Sequence, residues 1–340
     1  MKKFTVYALT VGLIYSVSAC FDPSVNNPTA NNVPSGGRED ATVRQCASMD
    51  VLSQQLKDNP GLQKKLDDIE THTIRVGLLR KIDPSALSTG PLVGTLTIPV
   101  AIHVIYNSST PQENISDAQI QSQITVLNRD YSKTNTDISK VPSAFSGLAS
   151  NMQFQFRIAS IDRKASAMTS WGTSDAMKKT NYGGVAPISP TTTLNIWICT
   201  IGSGILGYAQ FPGGASATDG VVIGPKYFGS SSIASGYYGA PFDKGRTATH
   251  EVGHWLNLRH IWGDAGCGND LVADTPTQST SNFGCPAFPR KTCGNTTNGD
   301  MFMNYMDYTD DLCMVMFSAG QRTRSRAIFS PGGPRATFAP

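Results

Sequence analysis

Residues 250–260 read HEVGHWLNLRH, and this stretch constrains the chain more tightly than any other. On a helix, His250 and His254 stand four apart and share one face, so both imidazoles can meet a single metal ion. Glu251 lies between them, offset enough to reach a water at the metal without occupying the metal itself. His260 follows six residues after His254. A continuing helix would carry it away, so the chain has to reverse near Asn257. Glycine is the best residue for a left-handed turn, and asparagine is among the next best. Only five histidines occur in the chain, and three of them fall here at ligand spacing, which argues against a helix with unrelated histidines. A closed structural site would have four protein ligands and favour cysteine, whereas three histidines leave a position open for water and substrate. Zinc lowers the pKa of its water towards about 7, where a carboxylate can take the proton. The motif therefore implies a catalytic zinc centre with Glu251 as the base.

The rest of the chain fits an exported enzyme. Lys2 and Lys3 precede the apolar run Phe4 to Val17, which is too short for a comfortable membrane span. The run ends in Val17-Ser18-Ala19-Cys20. This is the pattern of a lipoprotein signal in which Cys20 becomes the lipidated first residue, or of an ordinary secretory signal with Cys20 incidental. Either reading permits disulfides. A net charge of +3 with no Lys/Arg run excludes nucleic acid as an expected partner. With 39% hydrophobic residues over 340 positions, the chain can bury a sizeable core.

Residues 21–42 are rich in Asn, Pro, Ser and Gly and read as a flexible tether. In 43–72, Leu52, Leu56, Leu62, Leu66 and Ile69 recur at helical spacing, broken at Asn59-Pro60-Gly61. Residues 73–94, with Arg75, Arg80 and Lys81, read as a connector. Thr95–Tyr106 is a buried strand by its β-branched content. Ser116 is an N-cap for a helix through Ile120, Ile124, Leu127 and Tyr131. Met152–Ile161, Leu194–Cys199 and Gly207–Phe211 read as further strands, and one strand along a cleft could pair with a peptide backbone. Cys199 reads as a buried thiol. Cys267, Cys285, Cys293 and Cys313 suggest two disulfides with three possible connectivities.

HExxHxxGxxH followed by a Met-containing turn is the metzincin signature. HEVGHWLNLRHIWGD, with NYMDYTDDLCM at 304–314, resembles the pappalysin family, in particular its ulilysin-like prokaryotic members. The likeness covers most of 43–325 and includes IPVAIHVIY, ISDAQIQSQITVLNRDY, LNIWICTIG and GYAQFPGG. Asn257 stands where the general motif has Gly. The resemblance implies a metzincin-like α/β zinc-peptidase domain: a twisted, mostly parallel sheet with an antiparallel edge strand, an active-site helix near 246–257, and an irregular C-terminal subdomain tied by disulfides. It gives Met306 as an apolar floor beneath the zinc and Tyr308 as a donor to the developing oxyanion. It pairs Cys267 with Cys293 and Cys285 with Cys313. It also places structural calcium near GNDLVADTPT, where Asp270, Asp274 and Thr275 offer hard oxygens; the residues alone fit a solvated acidic loop as well.

Cys46 is the cysteine left over. A thiolate is a strong zinc ligand, and the ulilysin-like pattern includes a pro-segment cysteine that fills the fourth zinc position. A stray thiol or a Cys46–Cys199 bridge is the alternative. The expected organisation is a signal peptide at 1–20, a tether and inhibitory pro-segment at 21–79, and a catalytic domain at 80–340. The expected activity is endopeptidase cleavage of proteins or peptides. Relatives prefer Arg on the primed side, so autolysis before Arg75 or Arg80 would free a monomeric catalytic domain from any lipid anchor, its only tie to a membrane. Asp310 and Asp311 could help to recognise such an Arg, with Leu312 occupying the position beside Cys313. The expected location is the bacterial cell surface or periplasm, then the extracellular space after processing. The rivals are a non-catalytic surface lipoprotein that binds partners, which the intact Glu251 argues against, and a zinc exopeptidase or other hydrolase, which the Met-turn and pro-segment disfavour.

Overall fold

Strand β1 (Leu96–Asn107) lies inside a five-stranded sheet, flanked in parallel by β2 (Phe154–Ser166) and β3 (Leu194–Ile198). Its near-continuous apolar run is what burial on both faces requires. The computed structural model describes residues 41–82 and 94–339; the leader with Cys20 and most of the tether lie outside them. Beyond β3 come β5 (Val221–Ile223), parallel to it, and β4 (Gly207–Ala209), antiparallel at the edge. This is the expected mixed sheet. β5 was not legible as a strand in the sequence, having only three residues.

Helix α3 (Asp117–Tyr131) starts where Ser116 accepts a hydrogen bond from the Gln119 amide, and it packs on β2. Its buried face carries Ile120, Ile124, Leu127 and Tyr131. After the single turn α4 (Ser143–Ser146) and the long β2, the chain reaches α5 (Arg246–Trp255), which packs against α3, β4 and β5. Every residue of α5 is buried, so the charged and imidazole groups it carries must find partners inside the protein. Residues 256–318 contain no helix or strand. They are held by Cys267–Cys293 and Cys285–Cys313, the pairing that the resemblance implied. Cys46 and Cys199 are not bridged to each other.

Upstream of the sheet, α1 (Ser48–Asp58) packs on β4, and α2 (Gly61–Ile82) packs on α6 (Ala319–Ala327). The break at Asn59 and Pro60 falls where expected. The connector does not: residues 73–82 continue α2, so Arg75 and Arg80 lie within a helix, and the expected boundary after 79 falls inside it. Residues 83–93 lie outside the described residues.

Candidate metal centre

Helix α5 presents His250 and His254 on one face, and its C-terminus then delivers His260. Asn257 takes φ 73°, the left-handed conformation. Its amide donates to His254 O at 2.9 Å, and the Leu258 amide donates to Gly253 O at 2.9 Å. These two bonds define a Schellman ending with asparagine in the usual glycine position. The chain reverses and His260 turns back to the other two imidazoles.

Each imidazole is oriented from behind. His250 Nδ1 lies 2.7 Å from Tyr305 O, His254 Nδ1 lies 2.8 Å from Leu258 O, and His260 Nδ1 lies 2.5 Å from Asp264 Oδ1. Carbonyl and carboxylate oxygens only accept, so each Nδ1 carries the hydrogen and each Nε2 is left with a lone pair. His254 Nε2 then sits 3.1 Å from both His250 Nε2 and His260 Nε2. Three lone pairs facing one another with no hydrogen between them need a cation at their centre. Burial holds the pKa of His250 and His254 well below the ordinary value, with the neighbouring imidazoles adding to the effect. The neutral form is the one that ligates metal. Cys46 Sγ completes the group: one donor atom from each of the four residues lies within 4.8 Å of every other. Among the described residues, no other group of three or more His, Cys, Asp or Glu converges in this way. Trp262 stacks on His260 at 4.3 Å and closes that side.

Glu251 is buried beside this cluster. Its Oε2 accepts from Ser48 Oγ at 2.9 Å and lies 3.3 Å from Cys46 Sγ. Burial raises its pKa to about 7, with the Cys46 and Ser48 contacts opposing the rise. Ser48 Oγ also accepts from the Ala209 amide at 2.8 Å. Next to that contact, Cys46 pairs with Gly207 in a parallel bridge: the Ala47 amide donates to Gly207 O at 3.1 Å and the Leu206 amide to Gln45 O at 2.9 Å. The segment around Cys46 thus adds to the sheet edge and fills the space over Glu251. Gly207 is required there, because a Cβ would lie 2.9 Å from Val222 O and 3.0 Å from Glu251 Cγ.

Met306 underlies α5 so closely that a Cβ on Gly253 would stand 2.4 Å from its sulfur. Two residues on, the Tyr308 hydroxyl donates to Cys46 O at 3.3 Å, with its ring 4.9 Å from that of His260. Asp307 between them is buried and accepts from Gln278, Asn282 and the Tyr308 amide, which fixes the turn.

Arg44, two residues before Cys46, is buried. Its Nε donates to Thr309 O at 3.2 Å, Nη1 to Thr247 Oγ1 at 3.1 Å and Nη2 to Asp311 Oδ1 at 2.5 Å, with the Phe242 ring 5.0 Å away. Asp311 Oδ2 accepts from the Lys244 and Arg246 amides at the start of α5. Of the two acids considered, Asp311 lines this pocket; Leu312 is exposed. Sequence reasoning missed Arg44, Ser48, Gly207, Trp262 and Asp264. Asp264 had a readable signal, since it stands four residues after His260.

The three oxygens considered for calcium are differently employed. Thr275 Oγ1 donates to the Asp270 carboxylate at 2.9 Å, and the Val272 amide donates to it at 3.0 Å. Asp274 instead accepts from Ser318 Oγ at 2.6 Å and the Gly320 amide at 2.8 Å, at the N-terminus of α6.

Residues 190–330 match the peptidase M43 family, described as pregnancy-associated plasma protein-A. An extracellular metalloprotease of Pyricularia oryzae is 34% identical over 243 residues, covering 69% of this chain and 75% of the relative. One from Trichophyton verrucosum is 33% identical, covering 72% and 82%. Among solved structures, mature mirolysin of Tannerella forsythia in complex with a cleaved peptide is 47% identical with TM-score 0.69, covering 72% of this chain and 96% of that one. A promirolysin mutant from the same organism is 41% identical with TM-score 0.76, covering 87% and 97%.

Proposed function

This chain belongs to the pappalysin-like M43 metalloproteases, and we propose that it is a zinc-dependent endopeptidase made as a cysteine-latched precursor that favours Arg on the primed side of the cut. The observation that carries this reading is the convergence of three Nε2 lone pairs, each imidazole fixed through Nδ1, beside a buried carboxylate. His250, His254 and His260 would hold the zinc, with Cys46 as its fourth ligand in the latent form. Bound zinc supplies Lewis acidity, activating water and polarising the scissile carbonyl. Glu251 takes the proton of the attacking water and delivers it to the leaving amine. Tyr308, freed from Cys46 O, donates its hydroxyl to the developing oxyanion. Met306 supports α5 from below. The β4 edge offers a peptide backbone the groups that the Cys46 segment uses in the precursor.

The preference for Arg is supported by Arg44. It is a guanidinium already seated on Asp311, Thr247 and Thr309 O, at the start of the active-site helix. Such a pocket suits the planar five-donor fork of arginine better than a lysine. Residues 21–79 are proposed as tether and pro-segment ahead of the catalytic domain at 80–340, with cleavage before Arg75 or Arg80. Export is supported by the signal-like leader and by relatives named as extracellular. Lipidation of Cys20 and calcium at Asp270 and its neighbours complete the proposal.

The test is digestion of casein and an Arg-containing peptide library by activated protein, with and without a zinc chelator, beside Glu251→Ala and Cys46→Ala. Chelation and Glu251→Ala should each abolish cleavage, and cuts should fall before Arg. Cys46→Ala should give an unlatched precursor. Equal cleavage by Glu251→Ala sinks the mechanism, and a Cys46→Ala precursor as inactive as the parent sinks the latch.

A further inference from the structure

The reversal at Asn257 decides where two of the three imidazoles sit. The carbonyl of the next residue, Leu258, holds His254 Nδ1 at 2.8 Å, and His260 lies three residues after Asn257. A shift of this turn therefore moves the support of one imidazole and the whole of another. The turn is also built at a disadvantage, since φ 73° is adopted by a residue other than glycine. Asparagine tolerates that region when its short side chain bonds locally, but here Nδ2 is buried with no partner. The missing restraint comes from α6. Arg324 is 5% exposed, and its Nε donates to Asn257 O at 2.8 Å. Helix α6 is itself well anchored at its start, by the reciprocal Ser318–Gln321 capping pair and by Asp274.

We propose that Arg324 is a positioning residue for the metal centre: by holding the Asn257 carbonyl it fixes the asparagine turn and so sets His260 and the Leu258 support of His254. The inference rests on the reading of the three histidines as a zinc site. It has a plain structural rival. Arg324 Nη1 and Nη2 also meet the Glu70 carboxylate of α2 at 2.8 and 2.6 Å, so the residue could serve only to dock the upstream helix. The two faces of the guanidinium separate the roles, because Glu70→Gln weakens the second contact and leaves the first intact. A further variant isolates the turn. Asn257→Gly removes the conformational disadvantage, so the turn no longer depends on its tether.

The experiment measures zinc affinity by competition with a chromogenic chelator. It uses the full chain carrying Glu251→Gln, so that the protein does not cut itself. Arg324→Met should bind zinc about 10- to 100-fold more weakly, the usual cost of losing an outer support of a metal ligand. Glu70→Gln should bind as the parent does. Arg324→Met combined with Asn257→Gly should recover most of the loss. Arg324→Lys, which keeps a cation for Glu70 without the Nε donor, carries the same expectation as Arg324→Met if circular dichroism shows that the methionine variant is unfolded. Parental affinity in the Arg324 variants, an equal loss in Glu70→Gln, or no recovery with Asn257→Gly overturns the inference while the zinc site stands. A parent that holds no zinc against the chelator overturns the reading of the site itself, and this inference with it.

Discussion

The direction of hydrogen bonds at single residues explains most of the site. A backbone carbonyl behind His250 and another behind His254 leave each ring only one way to present a lone pair. The Arg44–Asp311 contact follows a different logic. Both side chains are buried, so the pair is compensated charge, and removing one partner strands the other. Asp311→Ala should therefore cost the full chain about 3–5 kcal/mol, read from urea unfolding. In the activated enzyme it should also abolish the proposed preference for cutting before Arg. Unchanged stability would mean that Arg44 leaves the pocket in solution. The histidines were legible because ligand spacing is local and their chemistry is narrow. Arg44 was not, because its meaning depends on an acid 267 positions away. Ser48 was invisible for the same reason: its partners are Glu251 and the amide of Ala209.

At the scale of elements, the sequence reads well where one period dominates. α3, β1 and α5 were legible in type and nearly in extent. α2 was not legible past 72, because Ile74, Val76 and Leu78 alternate as a strand would, and only Val76 of the three is buried, against α6. The docking of α2 on α6 overrides that local pattern. The edge strand β4 owes its place beside α5 to Gly207. Gly207→Ala would push on Val222 O and on the Glu251 side chain, and should cost about 1–3 kcal/mol as overpacking. With Glu251 as the proposed proton carrier, its displacement should lower kcat/KM of the activated enzyme by as much as about 100-fold. Thermal melts and peptide kinetics on the same preparation separate the two effects, and unaltered kinetics would place Glu251 beyond the reach of that methyl.

For the whole molecule, the irregular stretch after α5 carries the turn under that helix without a helix or strand of its own; it is held by crosslinks, by buried carboxylates, and by side chains such as Met303, Tyr305, Met306 and Phe317 that join the main core. No periodicity marks such a stretch, and for it the sequence offered only cysteines and motif residues. Burial raises the Asp270 pKa from 3.8 to about 7, against opposing bonds from Thr275 and Val272. The folded chain then binds more protons than the unfolded one between these values. The stability due to this group is complete below about pH 4 and is lost as pH rises through about 7. If calcium takes the place of the proton, about 1 mM should raise the thermal midpoint at pH 8 and barely change it at pH 5. Asp270→Asn should remove that difference, and an equal calcium response in Asp270→Asn would exclude the carboxylate as a ligand.

The continuation of α2 has a consequence for timing. A protease cleft takes an extended strand, whereas Arg75 stands on the exposed side of a helix whose His72 and Val76 are buried. The bond before Arg75 is visible to solvent yet closed to a blade, and it opens only when that helix frays. Maturation at that bond would then run as a clock set by the opening equilibrium of α2, ticking faster with warmth or any weakening of the α2–α6 seam, even at a constant amount of active enzyme.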